Sequence, residues 1–219
     1  MELVLDGEGG DIPDDARDML GAVDRNARRL QSLVADMLMM TRLDAGERPA
    51  MAPLDVATLV RRAAESLRPF ADARQVDLAV GDAAPTTTTV DGAAGQLERV
   101  LTNVIENAVK FTPAGGAVSV DVQAATGPAG RPTVVVVVAD TGTGIPAEAL
   151  PHVFDRFFRA AHAHGEVVPG TGLGLAIVRE IVQAHGGEVT VSSVLGEGTA
   201  VRIALPAQRG AGAGAGARG

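Results

Sequence analysis

Five consecutive valines, Val134 to Val138, constrain the fold of this chain more than any other sequence feature. A strand without polar alternation is normally buried on both faces, so the stretch 133–139 predicts a central, buried strand of a sheet. The stretch 118–124 predicts a neighbouring strand, because a turn rich in glycine and proline at 126–130 separates the two. This pattern predicts a hairpin within the sheet.

Helical and strand patterns alternate through the rest of the chain. Sequence patterns predict three helices, over 57–74, 93–111 and 171–185. β-Branched or alternating segments predict five further strands, over 54–56, 76–80, 86–90, 188–192 and 200–205. Because consecutive strands are expected to pair as hairpins, we predict an α+β fold: a two-layer α/β sandwich with a mixed sheet and helices on one face.

A separate helix is predicted over residues 13–45, ahead of the sandwich. Val23, Leu30 and Met37 are spaced by seven, which is typical of a helix that packs in a bundle or coiled coil. The glycine and proline within residues 46–50 break this helix and predict a linker. The main domain is then expected over residues 51–207, and the Ala/Gly repeat in residues 208–219 predicts a disordered tail.

Composition excludes several classes of function. The net charge is -8, so the chain has no excess of basic residues with which to bind nucleic acid. There is no cysteine, which rules out disulfides, thiol catalysis and thiolate metal sites. No apolar run reaches the roughly 18–20 residues that a membrane helix needs, and the first residues lack a signal-peptide pattern, so we expect a cytoplasmic location.

Two amides and one ammonium fall on the same face of the helix predicted over 93–111. At about 100° per residue, Asn103, Asn107 and Lys110 lie within a sector of roughly 60°. Magnesium prefers oxygen ligands and keeps several waters, so one amide oxygen and nucleotide phosphates suffice to hold it. A solvated helix face is the alternative interpretation of the same three residues.

Two glycine-containing segments add further candidate residues. Asp140 follows the valine strand, so its carboxylate can accept a hydrogen bond from an exocyclic amine, while Gly142 and Gly144 let the backbone approach a flat ring. By itself, this segment is also typical of a plain turn. A second glycine-rich segment leads into the third predicted helix: Gly170, Thr171, Gly172, Leu173 and Gly174. Backbone N–H groups at such a helix start bind anions.

The segment between these two holds three of the five phenylalanines of the chain: Phe154, Phe157 and Phe158. Arg159 follows them, and its guanidinium can reach a phosphate. A helix with an apolar face is the alternative interpretation of this segment.

In chain order, the four segments are 103–113, 140–146, 154–159 and 170–178. Together and in that order, they resemble the GHKL superfamily of ATPases and kinases, and within it the sensor histidine kinases of two-component systems. The resemblance covers residues 51–206 and extends to the segment from Ser193 to Pro206, which contains Gly196 to Thr199 and ends in Leu205-Pro206. It implies the GHKL ATP-binding fold, ATP and Mg2+ as cofactors, and phosphoryl transfer to a histidine. It also implies two partners: a response regulator receiver domain, and a second copy of the chain bound through the helical segment 1–45.

The resemblance implies a role for each candidate residue. Asp140 would bind the adenine amino group in a pocket shaped by Gly142 and Gly144, with Thr199 nearby. Asn107 would provide the oxygen that binds magnesium, with Asn103 beside it. Nucleotide contacts are implied for the remaining set: Lys110, Arg159, Gly170, Thr171, Gly172, Leu173 and Gly174. Residues 160–169 would form the lid that closes over ATP.

The acceptor histidine of these kinases lies on the first helix of a dimerisation hairpin. Met1 to Asp6 resembles the end of that helix and residues 13–45 resemble the second helix, so the acceptor would lie upstream of Met1, and no catalytic residue is assigned. Four histidines are present without the acceptor context: His152, His162, His164 and His185. His185 suits a helix C-cap. The chain is expected to be a catalytic module, as the cytoplasmic part of a longer membrane-bound sensor or as a short form.

Two alternative functions share the predicted ATP site. One is an ATP-binding regulatory or degenerate kinase-like protein that lacks autokinase activity. The other is an ATP hydrolase of the same superfamily. Such relatives use a glutamate to activate water where this chain has Asn103, which cannot act as a general base, although Glu106 lies at the edge of the same helix face.

Overall fold

The structure is a computed structural model that describes residues 13–46, 49–81, 88–127, 130–159 and 171–208. The chain divides into two compact units, Met1–Ala45 and Gly46–Gly219. Among the described residues, no helix combines the length and the apolar character needed to span a membrane.

The first unit contains one long helix, α1 (Asp14–Asp44), which begins directly after Pro13. Proline is compatible with a helix start because it has no N–H to leave unbonded. The heptad residues Val23, Leu30 and Met37 are 53%, 62% and 51% exposed. The predicted helix is therefore present, and its apolar seam is accessible to solvent.

The second unit combines helices and strands. In chain order its elements are β1 (Ala52–Asp55), α2 (Val56–Ala73), β2 (Asp77–Val80), β3 (Thr89–Gly92), α3 (Ala94–Phe111), β4 (Ala117–Thr126), β5 (Pro132–Asp140), α4 (Gly174–Ala184), β6 (Glu188–Val194) and β7 (Gly198–Pro206). A short 3-10 helix, Leu150–His152, lies between β5 and α4. Five strands form one sheet in the order β2-β4-β5-β7-β6, while β1 and β3 form a separate antiparallel ribbon.

The valine strand β5 is the middle strand of the sheet, as its sequence predicts. It pairs antiparallel with β4 and with β7, and β6 pairs antiparallel with β7. The expectation that all consecutive strands form hairpins is wrong for β2 and β3, because β2 pairs parallel with β4 and β3 pairs with β1. The connection from β2 to β4 contains β3 and α3, which gives it the length that a parallel crossover needs.

The helices of the second unit pack on one face of the sheet. Val134, Val136 and Val138 of β5 are at most 1% exposed on that face. One small apolar cavity shows the packing, since residues of α2 and α3 line it together with residues of β5 and β7: Val56, Leu59, Leu97, Val100, Leu101, Val136, Ile203 and Leu205. On the opposite face, Val137 lies between Asp121 and Arg202. The helices therefore cover one face of the sheet, while the opposite face carries charged side chains beside apolar ones such as Val135, which is 4% exposed.

Asp55 sets the boundary between β1 and α2. Its carboxylate accepts hydrogen bonds from the backbone N–H of Thr58 at 3.2 Å and from the hydroxyls of Thr58 and Thr88. These bonds, the one from the Thr58 hydroxyl first, lower the pKa of Asp55. Because this N-cap satisfies the first turn of the helix, Val56 begins α2 and does not extend the strand predicted over 54–56.

Candidate functional site

The carboxylate of Asp140 lies at the end of β5 and is held by two backbone donors. Its Oδ1 accepts hydrogen bonds from the N–H of Gly142 at 2.8 Å and from the N–H of Thr199 at 3.2 Å. Burial raises the pKa of Asp140, although the two backbone hydrogen bonds act in the opposite direction. Within the described ranges, no hydrogen bond to Oδ2 is present. Oδ2 can therefore accept a hydrogen bond from an N–H group of a ligand.

The loop after Asp140 requires glycine because other backbone segments approach it closely. A Cβ on Gly142 would lie 2.6 Å from the carbonyl oxygen of Phe111 and 2.7 Å from Asp140 Oδ1. Gly144 has a φ of 67°, and a Cβ there would overlap the carbonyl oxygen of Val194. Only glycine allows this packing. The loop is therefore closed on one side by the end of α3 and on the other by the turn between β6 and β7.

The hairpin of β6 and β7 is joined to the same loop through Ser193. The Ser193 hydroxyl accepts a hydrogen bond from the N–H of Ile145 at 2.8 Å and lies 2.9 Å from the hydroxyl of Thr199. The N–H of Gly196 also donates to the carbonyl oxygen of Thr143 at 2.8 Å. The sequence assigns a role to Thr199 but none to Ser193, because nothing in the local sequence links Ser193 to a loop 48 residues away.

The two asparagines of α3 meet the start of α4. Asn103 Nδ2 donates to the carbonyl oxygen of Gly174 at 3.3 Å. A Cβ on Gly174 would lie 3.8 Å from Asn107 Nδ2, so both amides lie beside the first residue of α4. One turn further along α3, the Lys110 ammonium lies 5.1 Å from the ring centre of Phe111. The carbonyl oxygen of Lys110 accepts a hydrogen bond from Arg74 at 2.9 Å, which fixes the end of α3.

The segment before α4 has a backbone shaped by two residues with positive φ. Gly172 has a φ of 70° and Phe157 a φ of 64°. The N–H of Phe157 donates to the carbonyl oxygen of Gly172 at 2.9 Å. The hydroxyl of Thr171 accepts from the N–H of Leu173 at 3.1 Å, and Leu173 is 2% exposed. The start of α4 is thereby attached to the phenylalanine segment.

The structure brings the predicted site residues together in two clusters on either side of the end of α3. Asp140, Gly142, Gly144 and Thr199 form the first cluster, and Asn103, Asn107 and Gly174 form the second. Phe111 connects them, because its carbonyl oxygen accepts from the N–H of Thr143 at 3.2 Å. Arg159 is exposed at the end of a described range. Gly170, the predicted lid at 160–169, His162 and His164 lie outside the described residues.

Comparison with known proteins identifies the family. Residues 92–209 match the family described as histidine kinase-, DNA gyrase B-, and HSP90-like ATPase, which is more than half of the chain. The chain belongs to this family. Both site clusters lie within the matched part. The matched residues begin at the last residue of β3 and include α3, α4 and the sheet from β4 to β7.

Within the histidine kinase-, gyrase B- and HSP90-like ATPases, the similar proteins are sensor histidine kinases. Sensor histidine kinase RppB of a Synechocystis species is 35% identical over 191 residues, which are 86% of this chain and 40% of RppB. The crystal structure of full-length ShkA in complex with AMPPNP is 33% identical with a TM-score of 0.74, and the match covers 91% of this chain and 40% of that chain. The mycobacterial sensor histidine kinase MprB is 34% identical with a TM-score of 0.58, over 72% of this chain and 98% of that chain.

These comparisons confirm the predicted fold class and the predicted histidine-kinase resemblance. The chain carries the ATP-binding catalytic domain of sensor histidine kinases. It spans about two fifths of the length of RppB. The activity of a whole sensor kinase is therefore treated below as a proposal.

Two histidines of this catalytic domain have structural partners. His185 is 8% exposed at the C-cap of α4, its Nε2 accepts from the N–H of Ala93 at 3.1 Å, and its Nδ1 donates to the carbonyl oxygen of Ile181 at 2.8 Å. His152 is exposed and pairs with Asp155 at 2.9 Å. Among the described residues, no group of three or more His, Asp or Glu side chains is placed to hold a metal ion.

Proposed function

We propose that this chain transfers the γ-phosphoryl group of MgATP to a histidine side chain outside this sequence, for signalling to the receiver domain of a response regulator. The observation that carries the proposal is the position of Asp140 beside a glycine loop. This loop is hydrogen-bonded to Phe111, the last residue of the helix that carries the side-chain amides of Asn103 and Asn107. This contact supports assigning the base to Asp140 and the phosphates to the residues beside α3 within one site. Phosphoryl transfer depends mainly on such positioning and on charge neutralisation.

In this proposal Asp140 binds the adenine. Its Oδ2 accepts a hydrogen bond from the 6-amino group, because Oδ1 is already bonded to two backbone N–H groups. Gly142 and Gly144 shape the pocket wall, since side chains at these positions would collide with neighbouring backbone. Thr199 borders the same carboxylate.

Asn107 is proposed to hold Mg2+. Its side-chain amide lies beside Gly174, the first residue of α4, and its oxygen is the proposed ligand. An amide oxygen, water and phosphate oxygens are ligands that Mg2+ accepts, so the residues present fit this ion. Bound Mg2+ would neutralise charge on the phosphates during transfer. Asn103 holds the start of α4 in place beside Asn107.

Phosphate binding is assigned to the residues around the start of α4. Backbone N–H groups at a helix start and the ammonium of Lys110 favour an anion there. The proposed set is Lys110, Arg159, Gly170, Thr171, Gly172, Leu173 and Gly174. Residues 160–169 are proposed to be the lid, as the sequence predicts.

The first unit is proposed to take part in dimerisation. The exposed apolar residues of α1 support this proposal, because a heptad seam is stabilised when a partner helix covers it. We accordingly assign 13–45 to the second helix of a dimerisation hairpin, 46–50 to a linker, 51–207 to the catalytic domain and 208–219 to a tail. The catalytic domain is proposed to act on the cytoplasmic side of a longer sensor.

A phosphoryl-transfer assay tests the proposal. The chain is mixed with MgATP labelled at the γ-phosphate, first alone and then with a separately purified helix hairpin that carries an acceptor histidine. We expect label on the added hairpin only, in the acid-labile form typical of phosphohistidine. Replacement of the acceptor histidine by glutamine in the hairpin is the matched control.

Two outcomes favour the alternatives. ATP binding without transfer to any hairpin would contradict kinase activity and support a regulatory protein. Release of inorganic phosphate at a rate independent of the hairpin would support an ATP hydrolase. Asn103 argues against hydrolysis, because its amide donates to Gly174 and cannot take a proton from water.

A further inference from the structure

We propose that Ser193 is a positioning residue for Asp140, so that its hydroxyl determines how strongly the site prefers a base with a 6-amino group. This inference rests on the proposed function, because it concerns the same adenine pocket. Ser193 lies on β6 directly opposite Thr199 on β7. Its side chain is half-buried between this hairpin and the loop that follows Asp140.

The Ser193 hydroxyl uses each of its hydrogen-bonding positions. It accepts from the N–H of Ile145 at 2.8 Å, donates to the carbonyl oxygen of Gly198 at 2.7 Å, and lies 2.9 Å from the Thr199 hydroxyl. A hydroxyl has one proton and two acceptor positions. Because a carbonyl oxygen cannot donate, the Ser193 proton goes to Gly198, and the Thr199 hydroxyl donates its own proton to Ser193.

Two of these contacts lead directly to Asp140. Thr199, whose hydroxyl is held by Ser193, donates its backbone N–H to Asp140 Oδ1 at 3.2 Å. Gly198, whose carbonyl oxygen is held by Ser193, packs so closely that a Cβ on it would overlap the carbonyl oxygen of Asp140. Ser193 thus fixes the backbone of Gly198 and Thr199, which contacts Asp140.

The third contact fixes the far end of the same loop. Ile145 follows Gly144, whose backbone packs against the carbonyl oxygen of Val194, next to Ser193. Without the hydroxyl, the N–H of Ile145 loses its acceptor and Thr199 loses the partner of its hydroxyl. Asp140 Oδ1 is then held less firmly, and Oδ2 is no longer fixed in the direction that an amino group needs.

A nucleotide-selectivity measurement separates positioning from simple structural support. Dissociation constants are measured for MgATP and for the Mg2+ complex of purine riboside triphosphate, which has hydrogen in place of the 6-amino group. Ser193→Ala is expected to weaken ATP binding roughly 5- to 30-fold and to weaken purine riboside triphosphate binding less than about 3-fold. Ser192→Ala is the matched control, because Ser192 is exposed on the opposite side of the same strand and should not change either value.

A double-mutant comparison tests the route through Asp140. The preference for ATP is expressed as the dissociation constant for purine riboside triphosphate divided by that for ATP. Asp140→Asn is expected to bring this ratio close to about one, because the charged acceptor is lost. Adding Ser193→Ala to that variant should not change the ratio further, since both changes act on the same contact. A further fall in the ratio would show an independent effect and would overturn the inference.

A second pair of variants covers a failure of Ser193→Ala to fold. Ser193→Thr and Ser193→Val have nearly the same shape and differ by the hydroxyl. The threonine variant should keep the preference for ATP and the valine variant should lose it. Equal ratios in this pair, or equal weakening of both nucleotides by Ser193→Ala, would overturn the inference alone. An unchanged ratio in Asp140→Asn would instead overturn the adenine contact of the proposed function.

Discussion

The backbone N–H of Phe157 donates to the carbonyl oxygen of Gly172 at 2.9 Å, and both residues have positive φ, 64° and 70°. A residue with a side chain costs roughly 1–2 kcal/mol in this conformation, so Phe157 is strained. Such strain persists only where neighbouring structure imposes it. In the sequence, the proposed lid lies between these two residues. The hydrogen bond therefore joins the described residues that precede and follow that segment.

Gly172→Ala is expected to weaken MgATP binding at least about 10-fold, because it adds backbone strain and disturbs the hydrogen bond between Phe157 and Gly172. Its Cβ would lie 2.8 Å from the carbonyl carbon of Phe157. Isothermal titration calorimetry measures the affinity. Gly115→Ala is the matched control, since Gly115 has a φ of 82° but open space around the position of a Cβ. Equal affinity loss in both variants would contradict the role of the Phe157 contact.

Asp140→Asn is expected to abolish tight ATP binding without destabilising the fold at neutral pH. Burial raises the pKa of Asp140 above its ordinary 3.8, so the folded state binds the proton more tightly than the unfolded state. The free energy of unfolding therefore falls as pH rises from the ordinary value through the raised pKa. The asparagine variant does not titrate at this position, so its free energy of unfolding does not fall for this reason. Its melting temperature relative to wild type should rise between about pH 3 and pH 7; a constant difference would contradict the raised pKa.

Asp55 should show the opposite dependence on pH. Hydrogen bonds from Thr58 and Thr88 lower its pKa below the ordinary 3.8. Its contribution to stability is present above that value and is lost as pH falls through the lowered pKa. Asp55→Ala should cost about 1 kcal/mol at neutral pH as a lost helix cap, and the deficit should shrink in acid. Asp55→Asn retains an N-cap oxygen and should cost less in denaturant unfolding at neutral pH.

His185 is expected to stabilise the packing of α3 against α4. Its two ring nitrogens bond Ala93 at the start of α3 and Ile181 near the end of α4. His185→Phe leaves the N–H of Ala93 without an acceptor and should cost about 1–3 kcal/mol in the free energy of unfolding. His152→Phe, at an exposed position, should change it by less than about 0.5 kcal/mol. Urea unfolding of both variants tests this difference.

Asn107→Ala is expected to remove the increase in ATP affinity that Mg2+ produces, because the amide oxygen is lost. Asn107→Asp supplies a carboxylate oxygen and should retain the increase. Asn103→Ala should lower ATP affinity but keep the dependence on Mg2+, since its amide acts on Gly174. Titration of ATP with and without Mg2+ measures all three. A Mg2+ response that persists in Asn107→Ala would assign the ion to another residue.

The elements of the fold could be predicted because their patterns are local. The valine run predicts β5 as a central strand, and apolar spacing predicts α2, α3 and α4 to within a few residues. The pairing of β2 could not be predicted, because a parallel neighbour across a crossover leaves no mark on a four-residue strand. The boundary between β1 and α2 was predicted one residue too late, because the Asp55 cap, held by Thr58 and by the distant Thr88, begins the helix at Val56.

The candidate site also contains residues that local motifs predict and residues whose contacts only the fold reveals. Asp140, Gly142 and the α3 amides stand in short motifs whose spacing is visible in sequence, and the structure brings them together. Ser193 and His185 act through hydrogen bonds to residues 48 and 92 positions away. Neither contact has a local signal, and the positive φ of Phe157 has none either, because phenylalanine rarely adopts that conformation.

β7 is the last strand of the sheet in sequence, yet it pairs on both sides, with β5 and with β6. During synthesis from the N-terminus, β5 therefore keeps an open edge until residues 198–206 have emerged. Exposed strand edges can pair with other chains, so the nascent protein is open to aggregation during this interval. Thr199, the second donor to Asp140, arrives with the same strand. Both backbone donors to Asp140 are thus present only after β7 has been synthesised, so the proposed ATP site cannot guide the earlier steps of folding.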